Sequence, residues 1–120
     1  MGCLTSAAAT SAQGSAAHGE VKQLIEANPV MVFSKSYCSF CNATKSLLNK
    51  NGVPFKAVEL DTYPGGDSMH KCLEAMTGQS TVPNIYIGKR QIGGNDKLQA
   101  MARNGSLKQR LDELGVPNRF

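Results

Sequence analysis

Apolar positions along the chain change their period several times, and each change marks an element. From about Ala16 to Asn28, Val21, Leu24 and Ile25 fall at helical spacing. Asn28-Pro29 closes that helix, because proline disfavours a helical residue before it. Val30-Met31-Val32-Phe33 is an unbroken apolar run, the pattern of a strand buried on both faces. A second helix runs through Ala43, Leu47 and Leu48 and stops at Asn51-Gly52. Phe55 to Leu60 alternates as a strand, and the helix before it makes it parallel to the first strand. Tyr63-Pro64-Gly65-Gly66 is a turn, and a third helix covers roughly Asp67 to Met76 and ends at Gly78. Asn84 to Ile87 is the next strand, with Gly88-Lys89-Arg90 as a short hairpin into Gln91-Ile92. Gly93-Gly94 precedes two helical stretches, around Lys97 to Arg103 and Leu107 to Leu114. The order α, β, α, β, α, β, β, α, α predicts an α/β protein: a four-stranded mixed sheet flanked by helices.

Composition adds bounds. A chain of 120 residues with 41% hydrophobic residues suits one compact domain. The net charge of +4 comes from scattered Lys and Arg rather than a basic run, so a nucleic-acid partner is not expected. No apolar run is long enough to cross a bilayer. Residues 1–17 are read as a flexible tail, and 18–120 as the folded domain. The segment MGCLTSAAATSAQGSAA carries no charge and too little apolar surface to offset its ordering entropy. It lacks the charged and apolar regions of a signal peptide and the arginines of a mitochondrial leader. It does open Met-Gly-x-x-x-Ser, the pattern for myristoylation of Gly2, with Cys3 beside it as a palmitoylation candidate. One myristoyl chain anchors only marginally, so a stable membrane tether requires both acyl groups. The expected location is cytoplasmic, with membrane association through the N-terminus as the alternative.

The four cysteines are Cys3, Cys38, Cys41 and Cys72. This is too few and too closely spaced for a secreted disulfide scaffold, and it fits a reducing compartment in which one pair does redox chemistry. Cys38-Ser39-Phe40-Cys41 lies where a buried strand ends and a helix begins. The first helical turn presents unpaired N–H groups and the positive end of the helix dipole, which stabilise a thiolate at Cys38. Lys35, three residues upstream, adds positive charge. Cys41, one turn along and more enclosed, is placed to resolve a mixed disulfide. Zinc is the competing reading, on Cys38, Cys41, His70 and Cys72. However, His70 and Cys72 stand two apart in a predicted helix and point to different faces. Cys72 reads instead as a small buried apolar residue and His70 as an exposed helix residue.

Two further segments complete a slot. A cis bond at Val82-Pro83, after Thr81, would turn the Val82 backbone outward to pair with an extended peptide. Gly93-Gly94 lets a ligand approach the backbone closely. Asn95 or Asp96 then caps a helix whose N-terminus can hold a carboxylate. A thiolate at the centre, a strand edge beside it, an anion site at one end and Lys35 near the other match glutathione, an extended tripeptide with a central thiol and a carboxylate at each end.

The segments Phe33–Cys41, Thr77–Gly88 and Ile92–Asp96 resemble the dithiol glutaredoxins, and the resemblance spans roughly residues 19–115. It implies a thioredoxin-like fold and a glutathione-dependent thiol–disulfide oxidoreductase acting on protein–glutathione mixed disulfides and protein disulfides. It further implies Cys38 as the catalytic and Cys41 as the resolving cysteine. Lys35, Val82 and Asp96 become glutathione contacts, with Phe40, Thr81, Pro83, Gly94 and Asn95 lining the slot. Thioredoxins resemble the chain less, because they carry Trp beside Cys-Gly-Pro-Cys and this chain has no Trp. Two departures stand out. Ser39 and Phe40 replace the Pro-Tyr commonest in the family, and His70 and Ser80 replace Gln or a basic residue. Relatives with Ser at position 39 are similar to proteins that hold a [2Fe-2S] cluster between two subunits, with one active-site cysteine from each and two glutathiones. That implies an alternative in which Cys38 ligates a cluster in a dimeric carrier or sensor, the cluster-free protein being a monomer.

Overall fold

The computed structural model describes residues 11–120, with side chains from residue 16 onward. Gly2 and Cys3, the acylation candidates, lie outside the described residues. The elements are α1 (Ser11–Ala27), β1 (Val30–Ser34), α2 (Ser39–Lys50), β2 (Lys56–Glu59), α3 (Gly66–Thr77), β3 (Asn84–Ile87), β4 (Arg90–Gly93), α4 (Asn95–Asn104) and α5 (Ser106–Glu113). Their order is the one the apolar pattern predicts. α1 begins earlier than its apolar periodicity reads, so residues 11–17, assigned above to the tail, carry helix. Alanine and glutamine favour helix without contributing a periodic apolar signal.

The strands lie in the order β2-β1-β3-β4. β1 pairs parallel with β2 across the α2 crossover and antiparallel with β3, and β3 and β4 form a hairpin. Gly88 and Lys89 both take positive φ (59° and 70°) at its two-residue turn, the geometry that matches the twist of the flanking strands.

β1 is buried along its whole length, which explains its unbroken apolar run. Met31 and Phe33 face one layer, with Val21 and Ile25 of α1 and Met69 and Leu73 of α3. Val30 and Val32 face the other, with Leu48 of α2, Leu98 of α4 and Leu107 and Leu111 of α5. Each fully buried large apolar side chain contributes about 2 kcal/mol. Phe33 and Tyr86 stack edge to face at 6.0 Å across the β1–β3 pair. With helices on both faces, the C-terminal end of β1 opens directly onto the N-terminus of α2, and that junction carries the cysteines.

Candidate active site

Cys38 is the N-cap of α2, in extended backbone conformation (φ −95°, ψ 119°). Its Sγ accepts the Cys41 backbone N–H at 3.2 Å, so the sulfur takes the place of a capping oxygen. The helix N-terminus therefore delivers a hydrogen bond to the sulfur as well as its dipole. The same Sγ lies 3.7 Å from the Val82 carbonyl oxygen, and the Val82–Pro83 peptide is cis. Cys38 is partly exposed, whereas Cys41 is 0% exposed. Burial pushes the Cys41 thiol above its ordinary pKa, and hydrogen bonding to Cys38 adds to this. The Ser34 hydroxyl and the Lys35 backbone oppose the rise. The two sulfurs thus stand in different environments: one at the surface and served by a helix terminus, the other sealed and held as a thiol.

The loop before Cys38 is fixed from β2. Asp61 accepts hydrogen bonds from both the backbone N–H and the hydroxyl of Ser36, and these bonds hold its carboxyl below the ordinary value of 3.8. The Lys35 carbonyl accepts the Cys38 N–H at 3.2 Å, closing the turn. Asp61 was not among the residues singled out from the sequence. Only its place just after an alternating strand hinted that it would stand at the end of the sheet where the cysteines lie.

Beside the thiol lies a cleft of about 490 Å³, lined by Phe40, Thr81, Val82, Pro83, Gly94, Asn95 and Asp96, together with Gln79 and Lys97. The three sequence segments therefore converge on one surface. Lys35 stands outside this lining, and its charge acts on Asp61, just past β2. Gln79 and Lys97 were missed. Gln79 donates to the carbonyls of Thr81 and Pro83, each at 3.0 Å, and so holds the loop that presents Val82. Lys97 follows Asp96 in the first turn of α4, where helical spacing alone could have placed it.

Two expectations need correction. Neither Asn95 nor Asp96 caps α4: the N-cap is Gly94, with no side-chain capping bond. Asn95 instead accepts the Thr44 hydroxyl at 2.9 Å and Gln99 Nε2 at 3.1 Å, tying the cleft to the cysteine-bearing helix. His70 is not a free surface residue. It is half-buried, and its Nε2 meets the Ser80 carbonyl at 2.6 Å, just ahead of the cis-proline loop. Nor do His70 and Cys72 join Cys38 and Cys41. Cys72 Sγ lies 3.9 Å from Met76 Sδ, and no group of three or more metal-ligating side chains occurs among the described residues.

A glutaredoxin family model matches residues 30–92, which include both cysteines, the cis-proline and the start of the glycine pair's strand. A glutaredoxin of Solanum lycopersicum is 48% identical over 97 residues, covering 81% of this chain and 90% of that protein. The chain belongs to the glutaredoxin family. Glutaredoxin-C2 of Arabidopsis thaliana is 43% identical over 97 residues, covering 81% of this chain and 87% of its own. Among solved structures, the buckwheat glutaredoxin–glutathione complex superposes with a TM-score of 0.85 at 39% identity, covering 88% of this chain and 96% of that one. The holo form of glutaredoxin C1 from a poplar hybrid (Populus tremula x tremuloides) gives 0.80 at 40% identity, over 84% and 91%. The fold is thus thioredoxin-like, and the protein is a glutathione-dependent thiol–disulfide oxidoreductase with a Cys-Ser-Phe-Cys active site.

Proposed function

We propose that Cys38 carries the reaction and that the cleft from Phe40 to Asp96 seats glutathione. The observation that carries this reading is the position of Cys38 Sγ: capped by a helix N–H and 3.7 Å from the Val82 carbonyl at the edge of that cleft. The thiolate attacks the glutathione sulfur of a protein–glutathione mixed disulfide. A bond forms between Cys38 and that sulfur, and the protein thiolate leaves. A second glutathione thiolate then displaces Cys38 and departs as oxidised glutathione. In the dithiol route Cys41 attacks Cys38 instead and expels glutathione as a thiolate, closing an intramolecular disulfide. Protein disulfides enter the same way: Cys38 bonds one target sulfur and expels the other as a thiolate, Cys41 displaces the bound target thiolate, and two glutathiones then reopen the Cys38–Cys41 disulfide and leave as oxidised glutathione.

The slot orders the tripeptide by charge. The Val82 backbone pairs with the extended chain, Asp96 accepts from the glutathione ammonium, and the N-terminus of α4 faces the adjoining carboxylate. Lys35, on the far side of the thiol, holds the other carboxylate. Tyr37 and Phe40, 74% and 61% exposed, flank the thiol and offer the target protein an apolar rim. Glutathione-dependent reduction of a glutathionylated peptide tests the reading. Lys35→Ala raises KM about fivefold, equivalent to about 1 kcal/mol, and leaves kcat close to wild type. A KM unchanged in that variant removes Lys35 from the slot.

Ser39 and a Cys38 thiol that is the one accessible among the described residues favour a second reading, in which the protein holds a [2Fe-2S] cluster. Cys38 is at the surface and Cys41 is sealed, so of the active-site pair each chain can offer one thiolate. The donor set fits the cluster only if two chains each supply Cys38 and two glutathione thiolates complete the ligation. Bound, the cluster would supply one-electron and cluster-transfer chemistry while masking the nucleophile. Anaerobic reconstitution with iron, sulfide and glutathione should then give a coloured dimer, and Cys38→Ser a colourless monomer. A colourless wild type removes this reading.

A further inference from the structure

The loop that presents Val82 is fastened by side chains on both sides of that residue. The Ser80 carbonyl is met by His70 Nε2 of α3 at 2.6 Å, and the Thr81 and Pro83 carbonyls each accept from Gln79 Nε2 at 3.0 Å. The Val82 carbonyl, between them, is the one approached by Cys38 Sγ, at 3.7 Å. Backbone carbonyls only accept, so Gln79 must turn its nitrogen toward the loop and its oxygen away. That oxygen is met by Gln91 Nε2 of β4 at 3.0 Å, and the same nitrogen donates to Asn84 Oδ1 at 3.1 Å. A glutamine nitrogen carries two hydrogens, so each of these two has one for each of its acceptors. Asn84 follows the cis-proline directly and is 2% exposed, and its Nδ2 has no partner among the described residues. Its amide thus gives its oxygen to Gln91 while its own nitrogen goes unserved. Gln91 is exposed and does not line the cleft.

We propose that Gln91 is a positioning residue for glutathione: from outside the cleft, and through the amide of Gln79, it sets the Val82 backbone in the attitude that glutathione pairs with. The inference rests on the reading that glutathione seats against Val82. The terminal torsion of a glutamine is broad and roughly two-fold, so nothing within the Gln79 side chain itself fixes which end of the amide meets the loop. Gln91 makes the choice. It offers a donor, and the Gln79 oxygen turns to it. Without that donor the amide is free to turn over, and its oxygen then stands against the Thr81 and Pro83 carbonyl oxygens. Both ties to the loop are lost together, one on each side of Val82. The Val82 N–H and carbonyl then spend part of the time out of line with an extended chain, and glutathione must order them as it binds. With Gln91 in place that ordering is complete beforehand, which lowers the cost of binding. The effect falls on the seating of the glutathionyl group, which precedes attack, and not on the sulfur chemistry at Cys38.

Full-length wild type, Gln91→Met, Gln79→Met and the double variant are compared in the reduction of a glutathionylated peptide. Methionine keeps the length of the side chain and removes its donor, and position 91 is exposed, so the fold is kept. Gln91→Met is expected to raise KM for the peptide roughly threefold or more and to leave kcat near wild type. The double variant is expected to have a KM no higher than Gln79→Met alone, because Gln91 acts only through Gln79. A KM equal to wild type in Gln91→Met overturns the proposal, and so does a fall in kcat at unchanged KM. Rises in KM that add in the double variant also overturn it, since Gln91 would then act by a path that bypasses Gln79. A second measurement separates this inference from the reading beneath it. Exchange of the Val82 N–H is followed by NMR in Cys41→Ser, reduced and then carrying glutathione on Cys38. Pairing with glutathione slows that exchange, and adding Gln91→Met weakens the protection. If loading leaves the Val82 exchange unchanged, glutathione does not seat there, and the slot reading fails and takes the role of Gln91 with it. If loading protects Val82 while Gln91→Met keeps the wild-type KM, the role of Gln91 alone fails.

Discussion

Cys38→Ser reduces turnover of a glutathionylated peptide to the uncatalysed background, a loss of roughly 1000-fold or more, whereas Cys41→Ser keeps the monothiol reaction. The structure separates the chemical from the structural cause. Cys38 Sγ caps α2 by accepting the Cys41 N–H, and serine is itself a favoured capping residue. The variant therefore keeps its helix and its fold, and the whole loss falls on the chemistry. A serine hydroxyl does not ionise near neutral pH, and its oxygen does not form a stable bond to a disulfide sulfur. Cys41 cannot take over, because it is 0% exposed and burial raises its pKa, so it reaches neither substrate nor the thiolate form readily. Cys41→Ser leaves the surface thiol and the cleft intact and removes only the dithiol route. Initial rates on one glutathionylated peptide, with circular dichroism as a fold control, decide the matter. Residual activity above about a tenth of wild type in folded Cys38→Ser would move the nucleophile elsewhere.

The parts of this site that lie close together along the chain were legible in the sequence. An unbroken apolar run predicts a central strand, and a Cys-x-x-Cys at its end predicts a sulfur at a helix N-terminus. Both follow from local periodicity. Thr81-Val82-Pro83 and Gly93 to Asp96 are local too, and they reach the cleft because the β3–β4 hairpin places them beside Cys38. Contacts between distant segments were not legible. Asn95 reads as a cap because Asn after glycines before a helix commonly is one. The structure gives its oxygen to Thr44, a residue of α2 that no local rule brings near. His70 reads as exposed because its own helix offers it no partner, yet the Ser80 carbonyl returns to it from the following loop. The Ser34–Glu59–Lys45 cluster draws one residue from each of three elements, so no short window contains it. The β1–β2 register sets Ser34 opposite Glu59, and Lys45 reaches the same carboxylate from α2.

Gly66→Ala is expected to destabilise the protein by about 3 kcal/mol or more, well beyond the effect of the same change at its neighbour Gly65. Read locally, Gly65-Gly66 is a turn in which either glycine could serve the conformation. Gly65 holds φ at +78°, with nothing near an added Cβ, so alanine there costs only the left-handed backbone, about 1–2 kcal/mol. Gly66 is the opposite case. It opens α3 and is buried, and a Cβ would sit 1.9 Å from the Leu60 carbonyl oxygen and 2.8 Å from its carbon. Those atoms are backbone and cannot swing aside. Leu60 N–H is bonded to the Ser34 carbonyl at 2.8 Å, which extends the β1–β2 pairing, and Gly66 N–H is bonded to the Tyr63 carbonyl at 2.9 Å. Relief requires α3 to move off the sheet, and with it Met69 and Leu73, which are 1% exposed and pack against Phe33 and Val58. The same end of β2 carries Glu59 and leads into Asp61, which hold Ser34 and Ser36 beside the cysteines. A shift of α3 is therefore expected to loosen the active-site loop as well as the core. Urea unfolding of the two alanine variants measures the difference. A lower midpoint at an unchanged slope in Gly66→Ala is the expected result. A Gly66→Ala variant no less stable than Gly65→Ala would mean that α3 can slide on the sheet, and that close approach of its first residue to Leu60 is not what seats it.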